Sequence, residues 1–121
     1  MTTPPPSQKI LHGGAERLPI RWVNVDTPPI TISRYRVAPG EVVSMHVHTG
    51  KGEYWVVVAG TGLVRVGDRD VAVAEGDVVW TPPRTPHALT NTGSLALVFV
   101  NVVQRVGQEP ITTTELPSEL R

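Results

Sequence analysis

A chain of 121 residues that is 40% hydrophobic can bury one core and is too short for two domains. Lys and Arg together number 11, as do Asp and Glu, so there is no basic field to attract nucleic acid or an anionic membrane surface. Cysteine is absent, which removes disulfides, thiolate metal sites and cysteine nucleophiles together and leaves His and carboxylate as the strong ligands.

Residues 1–9 carry Pro4, Pro5 and Pro6 among Thr and Ser, a composition that cannot bury enough apolar surface to offset ordering, and they read as a tail. No basic and apolar leader opens the chain, and no stretch approaches the roughly 18 apolar residues of a membrane helix. A cytoplasmic protein with no membrane partner is expected. His12, beside Gly13 and Gly14, reads as a solvated loop histidine. The β-branched run from Ile20 to Val25 predicts a strand, and Pro28 and Pro29 interrupt the chain before a second one, Ile30 to Val37. On that strand Tyr35 and Val37 share one face, and Arg34 and Arg36 lie on the other, toward solvent.

After the turn Ala38-Pro39-Gly40, the run Val42 to His48 alternates, and residues two apart on a strand share a face. His46 and His48 therefore point one way, with Val42 and Ser44, so Ser44 is expected to face the same site. Thr49 to Gly52 makes a tight connection, and a returning antiparallel strand, Glu53 to Ala59, brings the Glu53 carboxylate beside the two imidazoles. His87 arrives from a later strand as a third imidazole. Three neutral nitrogens and one carboxylate suit a borderline divalent transition metal, such as iron, manganese, nickel, cobalt or zinc, better than magnesium or calcium. The donor set does not decide among them, and Fe(II) is the expected ion, with Mn, Ni, Co or Zn as alternatives.

Further along, Leu63 to Val66 and Asp70 to Ala74 flank a Gly67-Asp68 hairpin turn, and Val78 to Trp80 is a short strand. A rigid Pro-rich loop, Pro82 to Pro86, leads into His87 to Asn91. Leu95 to Val103 is the longest apolar run and has the length of a strand buried on both faces. Short strands recurring between Gly, Pro, Asn and Asp turns, with no helical period, predict an all-β sandwich or barrel whose lumen holds one small ligand. The expected domain spans residues 10–106, with residues 107–121 as a polar C-terminal tail. On the presumed inner faces Trp55 and Val57 accompany Glu53, and Leu89 and Asn91 accompany His87. That mostly apolar lining suits a small, partly hydrophobic or aromatic substrate.

These residues resemble the cupin superfamily. Its first motif is a Gly, five residues, His-x-His, three or four residues, Glu, six residues and Gly, and it aligns with Gly40, His46, His48, Glu53 and Gly60. Its second motif aligns with Gly76, Pro82, His87 and Asn91, except that Arg84 stands where the motif usually has Gly. The resemblance implies a double-stranded β-helix, metal ligation by His46, His48, Glu53 and His87, and a homodimer. It leaves function open, because the fold serves dioxygenases, isomerases, lyases and ligand-binding proteins. Four protein ligands on a six-coordinate metal would leave two positions for substrate, water or dioxygen, and the leading expectation is a dioxygenase-like oxidoreductase. A non-redox lyase or isomerase using Zn or Mn, and a non-catalytic binding or accessory protein, are the alternatives. Arg84 is expected near the mouth of the barrel, within reach of substrate.

Overall fold

The computed structural model describes residues 8–11 and 13–117; His12 and most of the N-terminal tail lie outside the described residues. Among the described residues, eleven antiparallel strands form two sheets. The strands are β1 (Gln8–Leu11), β2 (Ala15–Leu18), β3 (Ile32–Val37), β4 (Val42–Thr49), β5 (Lys51–Ala59), β6 (Thr61–Val66), β7 (Arg69–Ala74), β8 (Val78–Thr81), β9 (His87–Thr90), β10 (Leu97–Arg105) and β11 (Thr112–Glu115). One sheet has the order β1-β2-β3-β10-β5-β8 and the other β11-β4-β9-β6-β7. From β3 onward the chain passes back and forth between the sheets, which is the winding of a double-stranded β-helix. Val37, Val64, Leu97 and Phe99, each at most 2% exposed, belong to the core that joins the two sheets.

Four differences from the sequence reading have physical causes. Ile20 to Val25 is not a strand: its β-branched residues find no ladder partner, and the chain runs irregularly to β3. The first strand begins at Gln8, inside the segment read as a tail. The polar C-terminal segment contains β11, which pairs with β4 from Thr112↔Thr49 to Glu115↔His46. A strand of the composition TTTE, exposed along its length, has no hydrophobic alternation by which it could be found. Finally, β4 and β5 do not form a hairpin. They join at Gly50 and enter opposite sheets, so the Glu53 carboxylate faces the histidines from across the barrel.

The apolar β10 is central, bonded to β3 on one side and β5 on the other. It therefore offers no open edge to a second chain. Large exposed apolar side chains lie instead on the outer face of the six-stranded sheet, where Tyr54 on β5 stands directly opposite Trp80 on β8. Their ring centroids are 4.6 Å apart. Among the described residues no helix is long and apolar enough to cross a membrane.

Candidate metal centre

His46 and His87 are directly paired across β4 and β9, His48 lies two residues further along β4, and Glu53 approaches from β5. Each of the four offers one ligand atom, and these atoms lie within 4.8 Å of one another. All four residues are buried, with at most 4% exposure. The imidazoles are held from behind. His46 Nδ1 donates to the Ser44 carbonyl at 2.8 Å, and His87 Nδ1 donates to the Thr85 carbonyl at 2.9 Å. A carbonyl can only accept, so both rings carry their proton on Nδ1 and present a basic Nε2 to the centre. His48 Nδ1 is 2.9 Å from Thr113 Oγ1 on β11, and its buried Nε2 makes no hydrogen bond.

Glu53 is fixed with comparable care. Its Oε1 accepts the Trp55 indole N–H at 3.1 Å, and Lys51 Nζ sits 3.0 Å from Oε2. Burial pushes the carboxyl pKa up, but the neighbouring His48 and the Lys51 charge more than reverse this and hold it below the usual carboxylate range. Glu53 is therefore anionic. Three imidazole nitrogens and one carboxylate, converging in a buried space where the His48 Nε2 has no hydrogen bond, fit a divalent transition metal.

A cavity of about 220 Å³ opens beside these residues and is bounded by both sheets. Of the side chains expected to contact substrate, Trp55 lines it. Val57 and Leu89 are in the core. Asn91 is spent on the loop after β9: its Nδ2 donates to the Val37 and Leu95 carbonyls, both at 2.8 Å, and its Oδ1 accepts from Gly93. Ser44 is turned away by a register shift. Three steps along β4, from Val43 to His46, match two along β9, from Leu89 to His87, so the extra residue puts Val43, and not Ser44, on the lumen side with the histidines. The Ser44 hydroxyl bonds Glu115 on β11.

Arg84 is exposed, and its guanidinium pairs with Glu109. It is the one non-glycine residue with positive φ, at 61°, among those described. A left-handed backbone explains why glycine usually stands here. The cavity is also more polar than the sequence implies. Arg17, Ser33, Lys51 and Asn101 line it, and no motif or spacing in the sequence marks them. Asn101 has one legible signal, as an amide in the middle of the longest apolar run; Arg17 has none.

The model of the cupin domain matches residues 33–103, a stretch that contains all four candidate ligands. The chain belongs to the cupin family. Among sequence relatives of this cupin, mannose-1-phosphate guanylyltransferase of Escherichia coli is 34% identical over 80 residues, which are 66% of this chain and 17% of that protein. The chain thus spans only a small part of that relative's length. The oxalate-binding protein of Thermotoga maritima is 32% identical over 71 residues, 59% of each chain. Among solved structures, a predicted oxalate decarboxylase from Thermotoga maritima superposes with a TM-score of 0.73 at 24% identity, covering 83% of this chain and 92% of its own. A cupin 2 conserved barrel domain protein from Salinispora arenicola gives 0.68 at 24% identity, with 88% and 90% covered. At these identities the structural likeness shows the fold.

Proposed function

We propose that this cupin is a metal-dependent enzyme acting on a small molecule, and that it works in the cytoplasm as a homodimer. The observation that carries the reading is the convergence of His46, His48, Glu53 and His87 within 4.8 Å, with His46, His48 and Glu53 on the wall of a cavity between the two sheets. Those four residues would hold one divalent transition metal per chain. When bound, such an ion supplies Lewis acidity and, if it is Fe(II), an electron source for dioxygen, giving dioxygenase-like oxidation. A Zn or Mn ion would restrict the chemistry to lyase or isomerase type.

The chain's own residues have definite tasks in this reading. The Ser44 and Thr85 carbonyls keep protons on the outward nitrogens of His46 and His87. Trp55 and Lys51 hold the Glu53 carboxylate oxygens, so that it stays charged and cannot rotate toward the substrate. Phe99 and Trp55, with ring centroids 4.8 Å apart, exclude water from the inner end of the cavity.

Elemental analysis of the purified protein, followed by oxygen uptake against a panel of small metabolites after Fe(II) loading, tests the reading. Stoichiometric metal with turnover supports an enzyme. A second reading, non-catalytic binding of a small carboxylate, draws on the likeness to the oxalate-binding protein; ligand binding without turnover under any metal would favour it.

A further inference from the structure

The inner face of the six-stranded sheet presents its side chains in rows. Ser33 on β3 is opposite Asn101 on β10, and Asn101 is opposite Trp55 on β5; one step deeper, Tyr35, Phe99 and Val57 form the corresponding apolar row. Ser33, Asn101 and Trp55 all line the cavity, and Ser33 and Asn101 are only 5% and 7% exposed. The Asn101 Oδ1 is buried with no hydrogen-bond partner. Buried amide oxygens in native proteins are ordinarily satisfied; this one belongs to a side chain that lines the cavity, and a small turn of the amide about its terminal bond would bring it to a donor on whatever fills that space.

Two cations stand near this row. Arg17 on β2 lines the cavity from its exposed end, and its guanidinium donates to Ser33 Oγ at 3.2 Å. It makes no ion pair with any described residue, whereas the other cavity cation, Lys51, is engaged with Glu53. An arginine that reaches a buried serine and leaves donors over is built for a carboxylate.

Resting on the enzyme reading above, we infer that the row Ser33–Asn101 with Arg17 is the substrate-recognition subsite, and that its ligand is a small hydroxy acid. The carboxylate accepts from the Arg17 guanidinium and from Ser33, and the hydroxyl donates to Asn101 Oδ1. An amino acid fits less well, because its ammonium would lie among Arg17, Lys51 and a bound metal cation.

Lactate and propionate differ in one hydroxyl and serve as probes. Their affinities for the protein as purified are compared by NMR titration, with metal content measured on every sample. The unsubstituted protein is expected to prefer lactate by about five- to tenfold, the worth of one buried hydrogen bond. Asn101→Leu should abolish that preference while leaving propionate affinity near its original value, and Arg17→Gln should weaken both acids by about fivefold or more. Asn101→Leu retains all four metal ligands, so a preference that survives in it comes from the metal and overturns the assignment. Equal binding of the two acids by the unsubstituted protein, or binding of neither, overturns it as well. If Asn101→Leu does not fold, Asn101→Ser, whose oxygen is too short to reach the same position, replaces it. Absence of metal from every sample defeats the enzyme reading alone, because the preference for lactate rests on Asn101 and not on the ion.

Discussion

Thr113 Oγ1 lies 2.9 Å from His48 Nδ1, joining two residues 65 apart in the chain. The contact exists because β11 lies on the outer edge of β4, with Thr113 directly opposite His48. The His48 Nδ1 is met by a side chain, whereas the Nδ1 atoms of His46 and His87 bond carbonyls of their own strand and the loop before it. Partners behind a metal-binding histidine fix its tautomer and angle, and their loss typically lowers affinity about 10- to 100-fold. Thr113→Val should therefore weaken metal binding by about tenfold in competition with a chromophoric chelator, and Thr113→Ser should restore it. Equal affinities for the three proteins would show that the hydroxyl does not position His48.

His46→Ala, His48→Ala and His87→Ala should each lose most of the bound metal, with little change in the far-ultraviolet circular dichroism, since the barrel keeps the core around Val37, Leu97 and Phe99. Glu53→Gln should bind less tightly, having lost the one anionic donor. Elemental analysis of the purified variants checks all four, and full occupancy in any histidine variant would remove that residue from the ligand set.

Arg84 carries a backbone cost and a compensating pair. Its φ of 61° is of a kind that disfavours residues with a Cβ by roughly 1–2 kcal/mol, while its guanidinium bonds Glu109. Arg84→Ala keeps the strain and loses the pair; Arg84→Gly loses both. Urea denaturation should find Arg84→Gly more stable than Arg84→Ala by about 1 kcal/mol. The reverse order would mean that the local backbone is not strained.

Acid should act on the centre with a definite sign. Glu53 has a folded-state pKa below the ordinary 4.5, so its contribution to stability is complete above that value and is lost as pH falls below it. With chelator present, the melting temperature of the unsubstituted protein should therefore drop more steeply between pH 5 and pH 3 than that of Glu53→Gln. Parallel curves would contradict the assignment. With metal present the decline should begin nearer pH 6.5, where free histidines protonate, because protons and metal compete for the same nitrogens.

The proposed homodimer is expected to use the outer face of the six-stranded sheet, where Tyr54, Val58, Val78 and Trp80 are 36%, 41%, 58% and 37% exposed. An apolar patch of this kind ordinarily marks an interaction surface. Light scattering at micromolar concentration should give twice the chain mass, and the pair Tyr54→Lys with Trp80→Arg should give a monomer. A monomeric unsubstituted protein would end the proposal.

The sequence by itself determined strands β3 to β10 and marked His46, His48, Glu53 and His87 as the candidate ligands. Period-two alternation places His46 and His48 together whatever the tertiary setting, and turn residues such as Gly67-Asp68 mark strand ends locally. The motif spacing from Gly40 to Asn91 was legible because it is a pattern along the chain, although the six strands it spans, β4 to β9, are divided between both sheets. What only the tertiary structure decided depends on pairing between distant segments. The bulge between Val43 and His46, which turns Ser44 out and Val43 in, exists only against β9. The Thr112–Glu115 strand has no hydrophobic pattern and is ordered by the open edge of β4. Arg17, Ser33 and Asn101 meet because β2, β3 and β10 are neighbours in one sheet, an adjacency that strand register sets and that alternation along any single strand cannot express.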